Sequence, residues 1–476
     1  MGDGMKPEPF DLVVVGSGPA GEKGAAVAAY HGRRVALVER KPSLGGTTVS
    51  TGGIPTKALR ETALHVSAGS RDDALTVELD RAAVFERLRS EVAAVSSLMG
   101  DVVAENLDRH SVVVVHGLAR LGRDGTVTVT ADGKSDRVLR GEVVLLATGS
   151  RPLRPSAIPF DGHTVVDPDE IVALDQPFGS IVIVGAGAVG SEYASIFAAI
   201  GIRVWLVDVA PRLLPVLDTE VSALLASSMR ASGVELLLDT TVVGVRHDHD
   251  VLAVELSGGG VLRAERLLFA AGRSPSSASL GLEEAGVAVD RAGHVVVDAH
   301  YRTTAPQVLA AGDVIGPPGL ASVSMEQARV AVSHAFGFPL RQSVDRILPI
   351  GIYTISEAAA VGMTEEAAVE AGIDYEVGRA WFGRNTKAVI AQEPEGVVKL
   401  IFHRADGRLL GVHILGRDAA ELIHLGQAVI RHGGGIDEFV QTTFNVPTRT
   451  EAYKYAAYDG LKRAEARAAF GDVAVE

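Results

Sequence analysis

Two distant stretches of this chain repeat one pattern, and that repeat restricts the fold more than any other feature. Residues 11–39 (DLVVVGSGPAGEKGAAVAAYHGRRVALVE) and 180–208 (SIVIVGAGAVGSEYASIFAAIGIRVWLVD) each run from an apolar β-branched segment into G-x-G-x-x-G. An Ala-rich amphipathic stretch follows, then a glycine, then a second apolar segment ending in an acid. The periodicities read as strand, turn, helix, strand. From the last fingerprint glycine to the acid is 18 positions in both copies, Gly21 to Glu39 and Gly190 to Asp208. An isolated glycine motif says little, but a preceding strand, a following helix and an acid at this distance together define a dinucleotide-binding unit. Gly16 and Gly185 allow the tight turn, Gly18 and Gly187 admit a pyrophosphate to the backbone, and Gly21 and Gly190 let the helix pack on its strand. The helix N-terminus offers free N–H groups and the positive end of its dipole to phosphate, and Glu39 and Asp208 accept hydrogen bonds from ribose hydroxyls.

The remaining sequence is organised around these units. Residues 112–146 alternate apolar and polar, with turn signals at DGT and ADGK, and predict a β-meander or three-stranded excursion. VVLLATGSRP (143–152) resumes the first unit, LLFAAGRSP (267–275) closes the second, and VLAAGDVIG (308–316) follows. From about residue 347 the pattern changes. IGIYTISEAAAVGMTEEAA reads as strand then helix, VVKLIFHRADGRLLGVHILG as a hairpin around Asp406-Gly407, and DAAELIHLGQAVIRHG as a helix. The fold class is α/β: two Rossmann-like dinucleotide-binding domains plus a C-terminal α+β domain.

Composition excludes several chemistries. The chain has no cysteine among its 476 residues, so disulfides, thiolate metal sites and cysteine nucleophiles are ruled out, and no metal site is expected. A net charge of -14 argues against nucleic acid or an anionic membrane as partner. The N-terminus carries no apolar signal core or myristoylation pattern, and no apolar run approaches a membrane span, so a soluble cytoplasmic protein is expected.

In the order of its motifs the chain resembles the pyridine nucleotide–disulfide oxidoreductases of the dihydrolipoamide dehydrogenase and glutathione reductase type. The first fingerprint, the GG turn ending in PTK, ATGSRP, the second fingerprint, GRSP and AGD all occur in family order. STGGIPTKALRE (50–61), SMEQARVAVSHAFG (324–337), PIGIYTISE (349–357), GVHILG (411–416), HLGQAV (424–429) and FNVPTRTEAYKYAA (444–457) look most like the soluble Si-specific NAD(P) transhydrogenases. The resemblance implies FAD under the first unit and NAD(P)H under the second. It divides the chain into an FAD-binding domain (1–152 and 277–346), an NAD(P)-binding domain (153–276) and a dimerisation domain (347–476) that builds a homodimer. It also implies that Glu39 binds the adenosine ribose of FAD, Ala119 the adenine region through its backbone, Thr148 and Gly149 the pyrophosphate, and Asp313 the ribityl chain. Gly272 of GRSP joins the cofactor-binding set. Lys57 and Glu192 match the family's ion pair beside flavin N5, where a cation stabilises the negative charge that arrives with hydride. Tyr353, Glu326, Arg449 and Glu451 match positions near the flavin or the interface.

Three departures follow. In GGTTVSTGGIPTK (45–57), Thr48 and Gly53 stand at the positions of the family's redox cysteines, and neither takes electrons. Thr48 is therefore expected at the catalytic face in place of a thiol, with space freed there for a flat acceptor. In FNVPTRTE, Val446 stands where disulfide-reducing relatives have the histidine that protonates a thiolate. Asp208 favours the 2′-hydroxyl of NADH over a 2′-phosphate, while Arg212 reads as a surface residue. That preference fits awkwardly with transhydrogenation, which uses both coenzymes. His65 and His424 read as packed or interface histidines. The leading reading is an enzyme that takes hydride from NAD(P)H onto FAD and passes it to a non-disulfide small-molecule acceptor, first of all another nicotinamide nucleotide. The alternatives are a diaphorase, quinone reductase or dedicated flavin oxidoreductase acting on a metabolic intermediate, and a non-catalytic nucleotide-sensing flavoprotein.

Overall fold

The computed structural model describes residues 6–70, 80–131, 136–173, 176–340 and 342–470. The first repeat forms the strand Glu8–Val15, the helix Pro19–Tyr30 and the strand Val35–Glu39, and the second forms Ser180–Val184, Ala188–Ala199 and Arg203–Val207. In each copy the two strands pair in parallel, Leu12 opposite Val35 and Ser180 opposite Arg203.

The first sheet places Val113–His116, Val35–Glu39, Glu8–Val15 and Arg137–Leu146 side by side in parallel. Arg137–Leu146 is long enough to take two partners on its far edge. Its C-terminal part pairs in parallel with Val308–Ala310, and its N-terminal part is antiparallel to Thr126–Thr130, which pairs with Leu118–Leu121. This is the expected excursion; Asp132, Gly133 and Lys134 of its second turn lie outside the described residues. Leu12, Val14 and Leu37 on one face and Val13, Ala36 and Val144 on the other are fully buried, as strands of a sheet covered on both faces require.

The second sheet runs Val234–Leu237, Arg203–Val207, Ser180–Val184, Arg266–Phe269 and Val165–Val166, all parallel. An antiparallel trio (Val242–Asp248, Val251–Leu256, Val261–Ala264) precedes its closing strand. Where the chain leaves and re-enters the first unit, Ser150–Pro152 and Arg273–Pro275 pair antiparallel and tie the two crossings together.

The C-terminal sheet is antiparallel, in the order Ile350–Ile352, Ala358–Gly362, Leu409–Gly416, Gly396–His403, Tyr375–Trp381. The hairpin turns at Asp406-Gly407, and the helix Ala419–Arg431 follows it. The stretch read as one strand and a helix is instead two strands, then the helix Glu365–Glu370. Residues 353–357 leave the sheet because Tyr353 and Ile355 bond to the second unit and Glu357 to Arg60. The last helix, Ala452–Phe470, lies so close to the edge strand that a Cβ on Gly378 would overlap the carbonyl of Ala456. Among the described residues, no helix is long and apolar enough to cross a membrane.

Candidate functional site

Both fingerprint turns are built as nucleotide cradles. Gly16 and Gly185 have φ of 102° and 105°, which a residue with a side chain rarely adopts. A Cβ on Gly21 or Gly190 would overlap the carbonyl oxygen of Gly16 or Gly185. These third glycines thus fit the helix against its own loop before they fit it against the strand. A Cβ on Gly18 or Gly187 would meet nothing within 4 Å, so the middle glycine of each loop faces open space. The buried Glu39 carboxylate accepts from Ser17 N (2.9 Å) and Ser17 Oγ (2.7 Å), and its other oxygen accepts from Lys41 N (2.8 Å). Asp208 repeats this, accepting from Ala186 N and from Ala210 N (2.7 Å). Each acid is fixed at the lip of its loop by the loop itself.

The other predicted positions gather round the first cradle. A Cβ on Gly16 would lie 3.3 Å from the Cα of Thr148, and the buried hydroxyl of Thr148 has no partner among the described residues. Gly149 accepts from Ser276 N (2.9 Å). Asp313 accepts from Ser150 Oγ (2.6 Å), and a Cβ on the adjoining Gly312 would lie 3.4 Å from Ala20, in the first turn of the fingerprint helix. Gly117 N donates to the Glu39 carbonyl (2.9 Å), which brings the strand holding Ala119 alongside that acid. Gly272 (φ 132°) lies just beyond Ala270 and Ala271, which crowd Gly185 as Ala147 crowds Gly16. The open loops, the placed acids and the unpartnered Thr148 hydroxyl suit FAD in the first cradle and a nicotinamide nucleotide in the second.

Lys57 and Glu192 meet where the parts of the chain join. Lys57 Nζ lies 2.9 and 3.1 Å from the two Glu192 oxygens. Glu192 also accepts from Thr56 Oγ1 (3.2 Å) and from Tyr353 N (3.0 Å), and Lys57 Nζ sits 4.5 Å from the centre of the Tyr353 ring. Three separate segments therefore converge on one ion pair: the helix Ile54–Ser70, the helix Ala188–Ala199 and the loop after Ile350–Ile352. Arg60, one turn beyond Lys57, clamps the same loop through Thr354 O (2.7 Å), Ile355 O (3.1 Å) and Glu357 (3.0 Å). For Thr56 and Arg60 the sequence carries no signal beyond their place in the PTKALRE motif.

Thr48 and Gly53 face each other. A Cβ at position 53 would stand 3.0 Å from Thr48 Cα and Cγ2 and 2.9 Å from its carbonyl oxygen. The turn is thus closed so tightly that position 53 has no room for a side chain against the backbone and methyl of Thr48. Thr51, between them, donates to Asp169 (2.9 Å). At the other end of the chain, Val446 is exposed, Arg449 bonds to Asp418 (2.7 Å) and Glu393, and Glu451 caps Thr448 N (3.3 Å). Glu326 pairs with Arg329. His65 and His424 are exposed in the single chain and so are not packed in its core.

Arg212 is committed elsewhere than the nucleotide. It bonds to Thr219, to Pro215 O (2.7 Å) and to Glu366 (3.3 Å). Among the described residues, the acids Asp218, Glu220 and Glu365 are close enough together to ligate a cation, but Lys399 fills that place, 2.7 Å from Asp218 and 2.9 Å from Glu220 and also bound to Glu365. Burial works against charge on Lys399, but these carboxylates outweigh it and hold the ammonium above the ordinary lysine value. Burial likewise opposes charge on Asp218 and Glu220, and their bonds to Lys399 and Arg379 override it and hold both below the ordinary carboxylate range.

Two dinucleotide cradles joined over a lysine–carboxylate pair define an oxidoreductase that works with two nucleotides. Residues 10–335 match the pyridine nucleotide-disulphide oxidoreductase family, and residues 348–457 match that family's dimerisation domain. The soluble pyridine nucleotide transhydrogenase of Marinobacter nauticus is 37% identical over 458 residues, covering 95% of this chain and 98% of that protein. A protein of the same name from Mycobacterium bovis is 38% identical over 461 residues, covering 96% and 98%. The HOCl-induced flavoprotein disulfide reductase RclA of Escherichia coli, as its Cu(II) complex, superposes with a TM-score of 0.86 at 28% identity, covering 95% of this chain and 99% of that one. The chain belongs to the pyridine nucleotide-disulphide oxidoreductase family, whose members bind FAD and a pyridine nucleotide, and it does so without a cysteine.

Proposed function

We propose that the protein is a flavin-dependent hydride carrier between nicotinamide nucleotides, a transhydrogenase that works without a thiol relay. The observation that carries this reading is the Lys57–Glu192 pair, held by Thr56 and Tyr353 at the junction of both cradles in a chain with no cysteine to reduce. FAD, when bound, supplies the centre that accepts hydride from one coenzyme and returns it to another. The chain's residues do the rest. Gly16, Gly18, Gly21, Glu39, Ala119, Thr148, Gly149 and Asp313 bind and orient FAD, and Gly185, Gly187, Gly190, Asp208 and Gly272 bind the nicotinamide nucleotide. Lys57 is the cation placed where negative charge accumulates, Glu192 fixes it, and Thr48 closes the face that a thiol would occupy.

In this reading residues 1–152 and 277–346 serve FAD, residues 153–276 serve the coenzyme, and residues 347–476 pair two subunits. Homodimer formation through the last domain brings residues 444–451 toward the partner's flavin. The protein works in the cytoplasm. NADH is preferred, because Asp208 repels a 2′-phosphate and Arg212 is engaged by Glu366 and Pro215. NADPH is then the weaker of the two coenzymes the reaction uses. The test is to mix purified protein with NADPH and a thionicotinamide analogue of NAD and follow the analogue's reduction. Catalytic transfer is expected; rapid flavin bleaching by NADH without any transfer would remove the assignment.

A further inference from the structure

The loop that leaves the C-terminal sheet at Tyr353 contributes more to the ion pair than a backbone contact. Its N–H holds Glu192 Oε1 (3.0 Å), while its ring lies under the Lys57 ammonium at 4.5 Å. The loop itself is held, because Arg60 grips Thr354 O and Ile355 O, and Ser195 Oγ accepts from Ile355 N (3.1 Å). Tyr353 is thus presented to Lys57 in one orientation. Burial, reinforced by Glu357 and Glu192, raises its phenol above the ordinary tyrosine value, so the ring stays neutral.

A carboxylate and an aromatic face hold a cation by different means. Glu192 attracts the ammonium with a full opposite charge and so cancels much of its field. A ring attracts it through a quadrupole and has no net charge to cancel it with. We propose that Tyr353 is a positioning residue for Lys57, a seat that fixes the ammonium while leaving its charge available to the reacting nucleotides. The proposal rests on the reading of Lys57 as the cation of the hydride-transfer centre, and assigns to the C-terminal domain a part in tuning that centre.

The test compares Tyr353→Leu with Tyr353→Phe in the flavin-loaded protein; both keep the N–H to Glu192. Anaerobic mixing with NADH gives the maximal rate of flavin bleaching and the NADH concentration for half that rate. The leucine variant should lose about tenfold in the maximal rate, with the half-saturating concentration changed by less than about twofold, and the phenylalanine variant should restore the rate. A second readout uses the apoprotein. The thermal-midpoint losses of Lys57→Met and Tyr353→Leu should fail to add in the double variant, because both remove one contact. A leucine variant as fast as wild type, a phenylalanine variant as slow as leucine, or additive midpoint losses would each overturn the proposal. Wild-type protein that NADH cannot bleach would overturn the hydride-transfer reading instead, and the apoprotein cycle alone would then decide whether the ring seats Lys57.

Discussion

Single side chains carry most of the chemistry proposed here. Replacing Lys57 by Met removes the one cation that Glu192, Thr56 and Tyr353 jointly position. Flavin reduction by NADH should slow about 100-fold, as for loss of a preorganised charge-stabilising donor, while the bound flavin remains. Stopped-flow absorbance at the flavin band measures this, and a rate within a few-fold of wild type would contradict the role. At the coenzyme end, Asp208→Ala should raise the efficiency of NADPH relative to NADH by about tenfold, the scale of relieving one close like-charge contact. An unchanged ratio would leave the preference without its cause. The acids and glycines behind these predictions were legible in the sequence because their spacing from one another is local. Tyr353 under Lys57 and Glu366 on Arg212 were not, because each pair is brought together only when distant parts of the chain fold onto one another.

At the scale of the element, the two strand–turn–helix units can be disabled separately. Gly21→Ala places a methyl into the Gly16 carbonyl and should spoil the FAD cradle, giving protein with little bound flavin. Gly190→Ala does the same to the second cradle through Gly185, and should give flavin-loaded protein that NADH bleaches poorly. Flavin content and NADH response, measured on both, separate the two units; equal loss of flavin in both would show that the cradles are not independent. Both units are readable because strand and helix periods differ and a glycine fingerprint marks each junction between them. The pairing of Ser150–Pro152 with Arg273–Pro275 was not readable, since each strand has only three residues and its partner lies over a hundred positions away. The break at residues 353–357 was hidden for a related reason. IGIYTISEAAAV is rich in apolar and β-branched residues on both sides of Ser356-Glu357, and what ends its first strand is the outside pull of Glu192, Ser195 and Arg60.

Over the whole molecule, the buried Lys399 cluster joins the second nucleotide unit, through Asp218 and Glu220, to the C-terminal sheet. Asp218 and Glu220 are held below their ordinary values, so their stabilisation is present above the unfolded carboxylate range and is lost as pH falls through their folded values. Lys399 is held above its ordinary value, so its share is present below the unfolded lysine range and is lost only as pH rises through its folded value. The thermal midpoint should therefore be flat above neutrality, decline gently below about pH 6.5 because burial holds the adjoining His413 below the ordinary imidazole value, and fall steeply below about pH 4. Lys399→Ala should cost about 3–5 kcal/mol at pH 7, the penalty for leaving the buried Asp218 carboxylate without its cation while Glu220 keeps Arg379. Denaturant unfolding measures the loss, and a cost near zero would mean that the cluster is not the tie between the two parts.

The central claim is that a nicotinamide coenzyme reduces a flavin in this chain with no thiol pair behind it. Anaerobic titration with NADH, followed at the flavin band, tests it directly. Without cysteine, the flavin is the sole two-electron store among the groups assigned here, so bleaching should be complete after about one equivalent of NADH per flavin, with no intermediate spectrum from a partly reduced disulfide. Flavin that stays oxidised under excess NADH, or uptake of a second equivalent before bleaching is complete, would contradict the account.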